Sequence, residues 1–439
     1  MKLSVIGTGY LGATHAIAMA AVGHEVVGVD RDPRKIADLN AGRLPFYEPD
    51  VAELLLDRLE AGVLRFTTCL RQAAAFADMH FICVGTPQQL DGQAADLRQL
   101  DALVDDLLPM LRKGSVVVGK STVPVGTAAR LAARVESVGA QLVWNPEFLR
   151  EGHALADTLH PDRIVVGLRG AAARAAMDDV YAPIVAAGTP VVVTDLATAE
   201  LVKVAANSFL ATKLSFVNMM ARMCEAAGAD VLDLTGALGF DRRIGDQYLQ
   251  PGIGFGGGCL PKDIRAFAAS AAELGVADVA ELLGVVDAIN TDSRRRAVRL
   301  ARELCGGDLD GIRVAVLGAA FKPNSDDVRD SPALAVALAM HHEGAAVRVY
   351  DPEAMHNAKD RCPMLTYASS VPDACADADI VMHLTDWDEF AALQPAELAT
   401  IVTHRRIVDG RCNLPAAVWR NAGWDYAAPG VGRSASATG

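Results

Sequence analysis

The chain has 439 residues, 51% of them hydrophobic and 22% charged, with a formal net charge of −13. This length and apolar content exclude a disordered protein and predict two or three domains, each with its own core. The net negative charge argues against a general binder of nucleic acid or of anionic membranes. The eight cysteines are scattered without a CxxC pair, which argues against a disulfide framework and a metal site.

The chain opens in a strand-like segment, and it contains no run of about 18 uninterrupted apolar residues. No signal peptide is recognisable at this start. We therefore expect a cytoplasmic protein without a membrane anchor.

The first thirty residues have the pattern of a dinucleotide-binding unit. In order they predict a strand at 2–6, a glycine turn at 7–12, a helix at 13–21, a strand at 24–29, and a terminal Asp30. Gly7 makes the tight turn, Gly9 lets a pyrophosphate approach the helix N-terminus, and Gly12 permits close helix packing. Asp30 would bind the adenosine ribose hydroxyls and repel a 2′-phosphate, which favours NAD over NADP, although the adjacent Arg31 leaves NADP open.

Three later strands end in polar residues. The strands at 79–84 and 115–119 lead to Thr86 and Thr122, which belong near the cofactor if the sheet is open and parallel, although Thr also serves often in turns and caps. The strand at 141–144 leads to Glu147 and Glu151. These two carboxylates either lie on a solvated helix face or act as a base and as a cofactor contact.

The middle of the chain contains the longest helical pattern and an unusual cysteine. A helix is predicted from Leu196 to Ala227, with Lys203 and Asn207 on one face, where a lysine among apolar neighbours needs a partner or a ligand. Farther on, Cys259 follows the glycine-rich run 254–258 and precedes Pro261, which can open a helix. A helix N-terminus favours a thiolate, so this cysteine is either a nucleophile or a buried, inert thiol.

The opening pattern recurs after residue 310, with strand-like segments at 313–317, 347–351, 379–383 and 406–410. Ala320 and Phe321 stand where turn glycines would be, so this second unit should bind something other than a dinucleotide. We predict an α/β fold with two Rossmann-like domains with parallel sheets, joined by a long central helix and a helical region. The predicted boundaries are 1–195, 196–305, 306–428 and a disordered tail at 429–439.

Together these motifs resemble the NAD-dependent UDP-glucose 6-dehydrogenase family, within the nucleotide-sugar dehydrogenases. The resemblance covers nearly the whole chain. Its motifs are 7–12 with Asp30, 86–92, 121–127, 145–152, 160–164, Lys203 with Asn207, 243–245, 249–252, 254–263 and 321–332. It departs from the family at Gly258, where Ser is usual, and at Ser325, where Thr is usual.

The resemblance implies four-electron oxidation of UDP-glucose to UDP-glucuronate by two NAD and one water, with Cys259 as the nucleophile. Lys203 and Asn207 would hold the C6 oxygen, Asp263 a water, and Glu147 would be the base for thioester hydrolysis. The implied catalytic set is Cys259, Lys203, Asn207, Asp263, Glu147 and Thr122.

The resemblance also implies two sets of binding residues and a homodimer. The NAD set is Gly7, Gly9, Tyr10, Leu11, Gly12, Asp30, Lys35, Thr86, Thr122, Glu151, Lys262 and Arg329. The nucleotide-sugar set is Glu147, Phe148, Leu149, Arg150, Lys203, Asn207, Arg243, Tyr248, Leu249, Gln250, Pro251, Gly252, Gly256 and Lys322. Within the second set Lys203, Arg243 and Lys322 would give an acidic protein a cationic pocket for a diphosphate.

Three other functions compete with this interpretation. A dehydrogenase for GDP-mannose or a UDP-N-acetylhexosamine would share the fold, although 161–164, 243–245 and 249–252 look more like the UDP-glucose branch. A two-electron hydroxy-acid dehydrogenase would need neither Cys259 nor a third domain. A non-catalytic nucleotide-sugar sensor would not need Cys259, Lys203, Asn207 and Asp263 together.

Overall fold

The computed structural model describes residues 1–432. The strands are β1 Lys2–Ile6, β2 Glu25–Val29, β3 Leu64–Thr67, β4 Met79–Ile82, β5 Val116–Gly119, β6 Gln141–Trp144, β7 Ile164–Gly167, β8 Val191–Thr194, β9 Arg313–Leu317, β10 Ala346–Tyr350, β11 Thr366–Tyr367, β12 Ile380–His383, β13 Arg406–Asp409 and β14 Asp425–Ala427. The helices are α1 Tyr10–Ala21, α2 Pro33–Asn40, α3 Val51–Glu60, α4 Leu70–Phe76, α5 Arg98–Leu107, α6 Thr127–Glu136, α7 Ala154–Leu159, α8 Ala171–Ala186, α9 Leu196–Ala227, α10 Val231–Gly239, α11 Leu260–Glu273, α12 Ala277–Leu304, α13 Pro332–His342, α14 Met355–Arg361, α15 Val371–Cys375, α16 Asp388–Ala391, α17 Pro395–Leu398 and α18 Ala416–Asn421, with a 3₁₀ turn at Leu108–Met110.

The first compact unit comprises Met1–Ala206 with Ala269–Gly275 and contains an eight-stranded sheet. Its strand order is β3-β2-β1-β4-β5-β6-β7-β8, which begins with the 3-2-1-4-5-6 order of a dinucleotide-binding fold. Its strand pairs are parallel except β6 and β7, which meet antiparallel at Trp144 and Gly167. Alternate residues along the strands feed two buried apolar clusters, as expected for a sheet covered by helices on both faces.

The second compact unit comprises residues 207–268 and the described chain from residue 276 onward. Its six-stranded sheet has the order β11-β10-β9-β12-β13-β14, and all of its strand pairs are parallel. This is again the 3-2-1-4-5-6 order, so the predicted α/β class with two Rossmann-like domains is confirmed. Its strands and helices bury one large apolar cluster.

The long central helix is also confirmed, since α9 spans the predicted residues, Leu196–Ala227. The chain passes from the first compact unit to the second within this helix, after Ala206. The four-part division drawn from the sequence remains a prediction. Within residues 1–432, none of the helices is both long and apolar enough to cross a membrane.

The prediction of a disordered tail from residue 429 is wrong for its first residues, which are hydrogen-bonded and buried. The backbone N–H of Gly430 donates to the Glu225 carboxylate at 2.6 Å, and its carbonyl accepts from the N–H of Val231 at 3.0 Å. Val431 is buried in the core of the second unit. Residues 429–432 therefore pack within the second unit, and residues 433–439 of the predicted tail lie outside the described residues.

Candidate active site

The glycine turn between β1 and α1 has the geometry of a nucleotide-binding loop. Gly7 has a positive φ of 93°, and a Cβ on Gly12 would lie 1.8 Å from the Gly7 carbonyl oxygen, so both positions require glycine. A Cβ on Gly9 would have no protein atom within 4 Å. Gly9 immediately precedes α1, so it leaves open space at the helix N-terminus, where a pyrophosphate fits.

Asp30 lies at the end of β2 as an ionised carboxylate. Its Oδ2 accepts hydrogen bonds from the Thr8 N–H at 3.0 Å, the Thr8 hydroxyl at 3.2 Å and the Lys35 ammonium at 2.8 Å. Partial burial opposes ionisation, but Lys35 and backbone N–H groups outweigh it and lower the pKa of Asp30. Lys35, a predicted NAD contact, is thus an ion-pair partner of Asp30.

Tyr10 and the segment that carries Glu151 are tied together by Glu48, a residue that the sequence analysis missed. The Tyr10 hydroxyl donates to Glu48, whose carboxylate also accepts the N–H groups of Gly152 and Ala154, each at 2.7 Å. Burial, followed by the Glu48 hydrogen bond, raises the pKa of Tyr10. Glu48 therefore holds the loop around Glu151 against the start of α1.

Thr86 and Thr122 come together, as their positions after adjacent strands predict. The Thr86 hydroxyl donates to the Thr122 carbonyl oxygen at 2.6 Å. Farther along the same loop, Glu200 of α9 accepts the N–H groups of Gly126 at 2.8 Å and Ala128 at 2.6 Å, at the N-terminus of α6. Glu200 is buried, and burial raises its pKa to about 7. This carboxyl group attaches the Thr122 loop to α9.

Glu147 is partly buried and paired with Lys120, which lies directly after β5. The Lys120 ammonium is 3.0 Å from Glu147 Oε2, and Glu147 Oε1 accepts the N–H groups of Phe148 at 2.8 Å and Leu149 at 3.2 Å. Burial alone would raise the pKa of Glu147, but Lys120 and, more weakly, Lys203 bring it below its usual value. Lys120 was not predicted as a site residue.

Two predicted sugar contacts of the first unit are placed by aromatic and ionic contacts. The Lys203 ammonium lies 5.5 Å from the centre of the Phe148 ring, and the Arg163 guanidinium lies 3.8 Å from it. Arg150 forms two side-chain hydrogen bonds to Asp157, at 2.9 and 2.7 Å. The buried Lys203 is thus close to Glu147 and Phe148, in agreement with the expectation that it needs a partner.

Cys259 is solvent-exposed, which excludes the alternative of a buried thiol. It immediately precedes α11, and its carbonyl oxygen accepts the Asp263 N–H at 3.0 Å. Pro261 occupies the first turn, as predicted. Of the other seven cysteines, five are buried and two are intermediate. The start of a helix favours negative charge, so this location suits a nucleophilic sulfur.

Asp263 is buried and joins two other predicted site residues. Its Oδ2 accepts from the Asn207 side-chain amide at 2.7 Å, and its Oδ1 lies 2.5 Å from the Lys262 ammonium. The carboxylate therefore fixes the orientation of Asn207, which was predicted to hold the C6 oxygen. The i and i+4 spacing of Cys259 and Asp263 places both on the same side of the α11 N-terminus.

The glycines before Cys259 are required by packing within the second unit. A Cβ on Gly254 would lie 2.3 Å from Asn290, and one on Gly256 would lie 2.4 Å from the Asp330 carbonyl oxygen. The Asn290 side-chain amide accepts from the Phe255 N–H at 2.7 Å and donates to the Phe255 carbonyl at 3.0 Å. Asn290 was not predicted, and it anchors the loop that carries the thiol.

The departure at Gly258 has a structural counterpart in Arg329. A Cβ at position 258 would lie 2.2 Å from the Arg329 guanidinium carbon. That guanidinium is itself held by Asp327, through Nε at 3.0 and 2.8 Å from the two carboxylate oxygens. A serine at this position would force Arg329, a predicted NAD contact, to move.

The predicted sugar-binding segment 248–252 is attached to helix α9. Gly252 donates its N–H to Asn218 at 2.8 Å, and Tyr248 has a positive φ of 60°. Arg411, which the sequence analysis missed, donates to the carbonyls of Leu384 at 2.6 Å and Phe321 at 2.9 Å. These bonds fix the end of β12 to the turn that precedes Lys322.

The remaining predicted contacts of this unit differ in burial. Arg243 is exposed and pairs with Asp241 at 2.6 Å, whereas Leu249, Pro251 and Gly252 are buried. Gln250 is exposed and lies 3.4 Å from the carbonyl oxygens of Arg411 and Cys412.

In the second Rossmann-like sheet, the Asp that follows β10 forms its hydrogen bonds within the protein. Asp351, which corresponds in position to Asp30, is fully buried, and its Oδ2 accepts the N–H groups of Ala319 at 2.7 Å and Ala320 at 2.9 Å. Trp387 donates to the same oxygen at 3.1 Å. Asp30 is also bonded to its own turn but remains partly exposed, whereas the Asp351 carboxylate has no exposed surface that a ribose could contact, which supports the prediction that this unit binds something other than a dinucleotide.

The fold and these residues define a nicotinamide-dependent oxidoreductase with an exposed cysteine at a helix N-terminus. Comparison with known proteins is more specific. Residues 1–185 match the NAD binding domain of the UDP-glucose/GDP-mannose dehydrogenase family, 197–292 its central domain and 315–415 its UDP binding domain. The chain belongs to this family, and its cofactor is NAD. The predicted family and the predicted NAD-dependent oxidoreductase are therefore confirmed.

Individual relatives cover nearly the whole chain. The UDP-glucose 6-dehydrogenase of Rhizobium meliloti (strain 1021) is 40% identical over 417 residues, which are 94% of this chain and 95% of that protein. The structure of a UDP-glucose dehydrogenase from Pyrobaculum islandicum matches with a TM-score of 0.89 and 37% identity, over 98% of this chain and 97% of that one. A UDP-D-ManNAc dehydrogenase from Pyrococcus horikoshii matches with a TM-score of 0.86 and 26% identity, over 98% and 100%.

Proposed function

We propose that this protein oxidises UDP-glucose at C6 to UDP-glucuronate, consuming two NAD and one water. The observation that carries the proposal is the exposed Cys259 at the N-terminus of α11, one turn from the buried Asp263 that holds Asn207. The choice of sugar is supported by the 37–40% identity to UDP-glucose dehydrogenases, against 26% for the UDP-D-ManNAc enzyme.

The sulfur allows one carbon to be oxidised twice. Loss of a hydride from C6 gives an aldehyde, and addition of the Cys259 thiolate to its carbonyl carbon gives a thiohemiacetal. Loss of a second hydride converts this into a thioester, and water then displaces the thiolate to give the carboxylate. NAD, when bound, would supply the acceptor for each hydride. Covalent attachment keeps the aldehyde from diffusing away between the two oxidations.

Lys203 and Asn207 stabilise the C6 oxygen while it carries negative charge. Their spacing on α9 places an ammonium and an amide on the same face of one helix. Asp263 orients Asn207 and Lys262, and it is also the group that would hold the hydrolytic water. Glu147 serves as the base for hydrolysis, because its pKa lies below its usual value and it is therefore ionised near neutral pH.

We assign the cofactor and substrate contacts from the predicted sets. The open turn at Gly9 receives the pyrophosphate of NAD, and Asp30 receives its adenosine ribose. Arg243 and Lys322 supply positive charge for the diphosphate of the sugar nucleotide. Thr86, Thr122 and Glu151 contact NAD from the loops that follow β4, β5 and β6.

The substrate and the chemistry are tested together by the variant Cys259→Ser. A serine keeps the shape of the loop but cannot form a thioester that water hydrolyses readily. UDP-glucose should therefore still bind. Formation of UDP-glucuronate should fall by at least 10³-fold, which is on the order expected for loss of a nucleophile. Cys305→Ser is the matched control, because this partly buried thiol lies outside the proposed site. Full turnover by Cys259→Ser would remove the thiol from the mechanism.

We also propose that the protein is a cytoplasmic homodimer that associates through α9 and α12. Phe209, Phe216 and Met223 are exposed apolar side chains at seven-residue intervals on α9, and Leu282 and Val285 are exposed on α12. Apolar residues repeated at this spacing form a continuous face that favours burial. The scattered cysteines support a reducing compartment.

The dimer is tested by the molar mass in solution. Phe216→Asp places a charge in the centre of the apolar face and should give a folded monomer at micromolar concentration. The control is Leu90→Asp, since Leu90 is 96% exposed but lies outside α9 and α12. A dimer mass for Phe216→Asp, measured by light scattering, would contradict association through this face.

A further inference from the structure

Lys120 is a buried cation that the proposed reaction does not use. Its side chain is 3% exposed, and its ammonium lies 3.0 Å from Glu147 Oε2 and 3.1 Å from Asn145 Oδ1. A lysine is almost never this buried without a partner, because removal of the ammonium from water is costly. The position of Lys120 is therefore tied to the carboxylate of Glu147.

The groups around Lys120 hold it rigidly. Asn145 Oδ1 also accepts the Tyr181 hydroxyl at 2.6 Å, and Asn145 Nδ2 donates to the Val165 carbonyl oxygen at 2.8 Å. Asn145 is thereby fixed to β7 and α8. Lys120 in turn follows β5, where its N–H donates to the Ile82 carbonyl at 3.0 Å. The ammonium is thus held in one place by the central strands of the sheet.

Both oxygens of Glu147 are constrained. Oε1 accepts two backbone N–H groups, those of Phe148 and Leu149, and Oε2 is paired with Lys120. An ammonium beside one oxygen fixes the rotation of the carboxyl group as well as its charge. Loss of the ammonium would leave the carboxylate partly buried beside fewer hydrogen-bond donors.

We propose that Lys120 is a positioning residue for Glu147, which orients its carboxylate and keeps it ionised for hydrolysis of the thioester. The inference rests on the proposed role of Glu147 as the base. Lys120 itself acts on Glu147 and is assigned no contact with the substrate. Its place in the reaction is therefore to set the pH range in which the base works.

The charges that face Glu147 determine the direction of the effect. Lys120 and Lys203 are the cations, and Tyr181 and Cys83 are the other titratable groups. Burial raises the pKa of Tyr181 and raises that of Cys83 to about 12, so both are neutral near pH 7. When the cation nearest to Oε2 is removed, burial dominates and the pKa of Glu147 rises.

The test is the pH profile of kcat for Lys120→Met. A base works only when ionised, so the acid limb of the profile should move to higher pH, by about 1–3 pH units for loss of an adjacent opposite charge. Activity should fall most at acid pH and recover as the pH rises, while KM for UDP-glucose changes less than threefold. A purely structural role for Lys120 would lower activity at every pH without moving the limb.

Two further variants separate failure of this inference from failure of the proposed function. Glu147→Gln should lose the acid limb, and Lys120→Met/Glu147→Gln should match Glu147→Gln in rate and in pH dependence. An unmoved limb in Lys120→Met, with Glu147→Gln still impaired, would overturn the role of Lys120 alone. Wild-type rate and pH dependence in Glu147→Gln would overturn the proposed base and this inference with it.

The double variant also covers the case in which Lys120→Met does not fold. Removal of Lys120 alone leaves a partly buried carboxylate without its cation, whereas removal of both charges does not. The double variant should therefore unfold at a higher temperature than Lys120→Met, or fold where the single variant does not. Equal or lower stability of the double variant would overturn the pairing of the two groups.

Discussion

Asp30 offers a quantitative test of how the first unit binds NAD. Each hydrogen bond from a ribose hydroxyl to this ionised carboxylate contributes about 1.5–3 kcal/mol, the range for bonds to charged groups. Loss of one such bond in Asp30→Ala corresponds to an increase in the Kd of NADH of about 10- to 150-fold. The existing partners Thr8 and Lys35 hold the carboxylate ready, so little ordering is needed when the ribose binds.

The same substitution should change cofactor preference. Lys35, released from its 2.8 Å pair with Asp30, and Arg31 would both be available to a 2′-phosphate. The Kd of NADPH should therefore rise less than that of NADH, or fall. Titration of both cofactors by fluorescence or calorimetry measures the two effects together.

Asp32→Ala is the matched control for this experiment. Asp32 caps α2 by accepting the N–H groups of Arg34 at 2.9 Å and Lys35 at 3.4 Å. Its loss should cost about 0.5–2 kcal/mol of stability, as for other helix caps, and leave the Kd of NADH nearly unchanged. Unchanged NADH affinity in Asp30→Ala, or equal weakening in both variants, would refute the placement of the ribose on Asp30.

Two other predictions follow from packing and burial. Gly256→Ala brings a methyl group to 2.4 Å from the backbone oxygen of Asp330, so turnover should fall at least tenfold while NADH affinity is retained. The control is Gly236→Ala, at an exposed helical site with open space. This control should raise the free energy of unfolding by about 0.5–1 kcal/mol and stay active. Wild-type turnover of Gly256→Ala would contradict the tight packing. Glu200, with its pKa raised from 4.5 to about 7, binds a proton on folding, so its contribution to stability is present below pH 4.5 and is lost as the pH rises through 7. Denaturant unfolding measures the free energy of unfolding of Glu200→Gln relative to the wild type, and this relative stability should be higher at pH 8 than at pH 5. A stability difference that does not vary with pH would contradict the raised pKa.

The individual strands and the central helix were predictable because their signals are local. Buried parallel strands are short apolar runs, and α9 is free of Pro and Gly until Gly228, so its end coincides with the first helix breaker. The antiparallel contact of β6 and β7 has no such signal, since it involves a single residue pair, Trp144 and Gly167.

The supporting residues of the candidate site were less predictable, because they act across long sequence distances. Glu48 bonds to Gly152, 104 positions away, and Arg411 bonds to Phe321, 90 positions away. A lone Glu or Arg in a loop is usually solvated, so its sequence neighbourhood does not reveal such a partner. Lys120 had one usable signal, a charged residue directly after the apolar strand that leads to Thr122.

The most direct test of the proposed function is the stoichiometry of the purified protein. UDP-glucose at limiting concentration is incubated with excess NAD, and NADH and sugar products are counted at completion. Two NADH and one UDP-glucuronate per UDP-glucose are predicted, because Cys259 retains the aldehyde for the second oxidation. A ratio of one with an aldehyde product would contradict the four-electron reaction, and tight binding without NADH would indicate a nucleotide-sugar sensor.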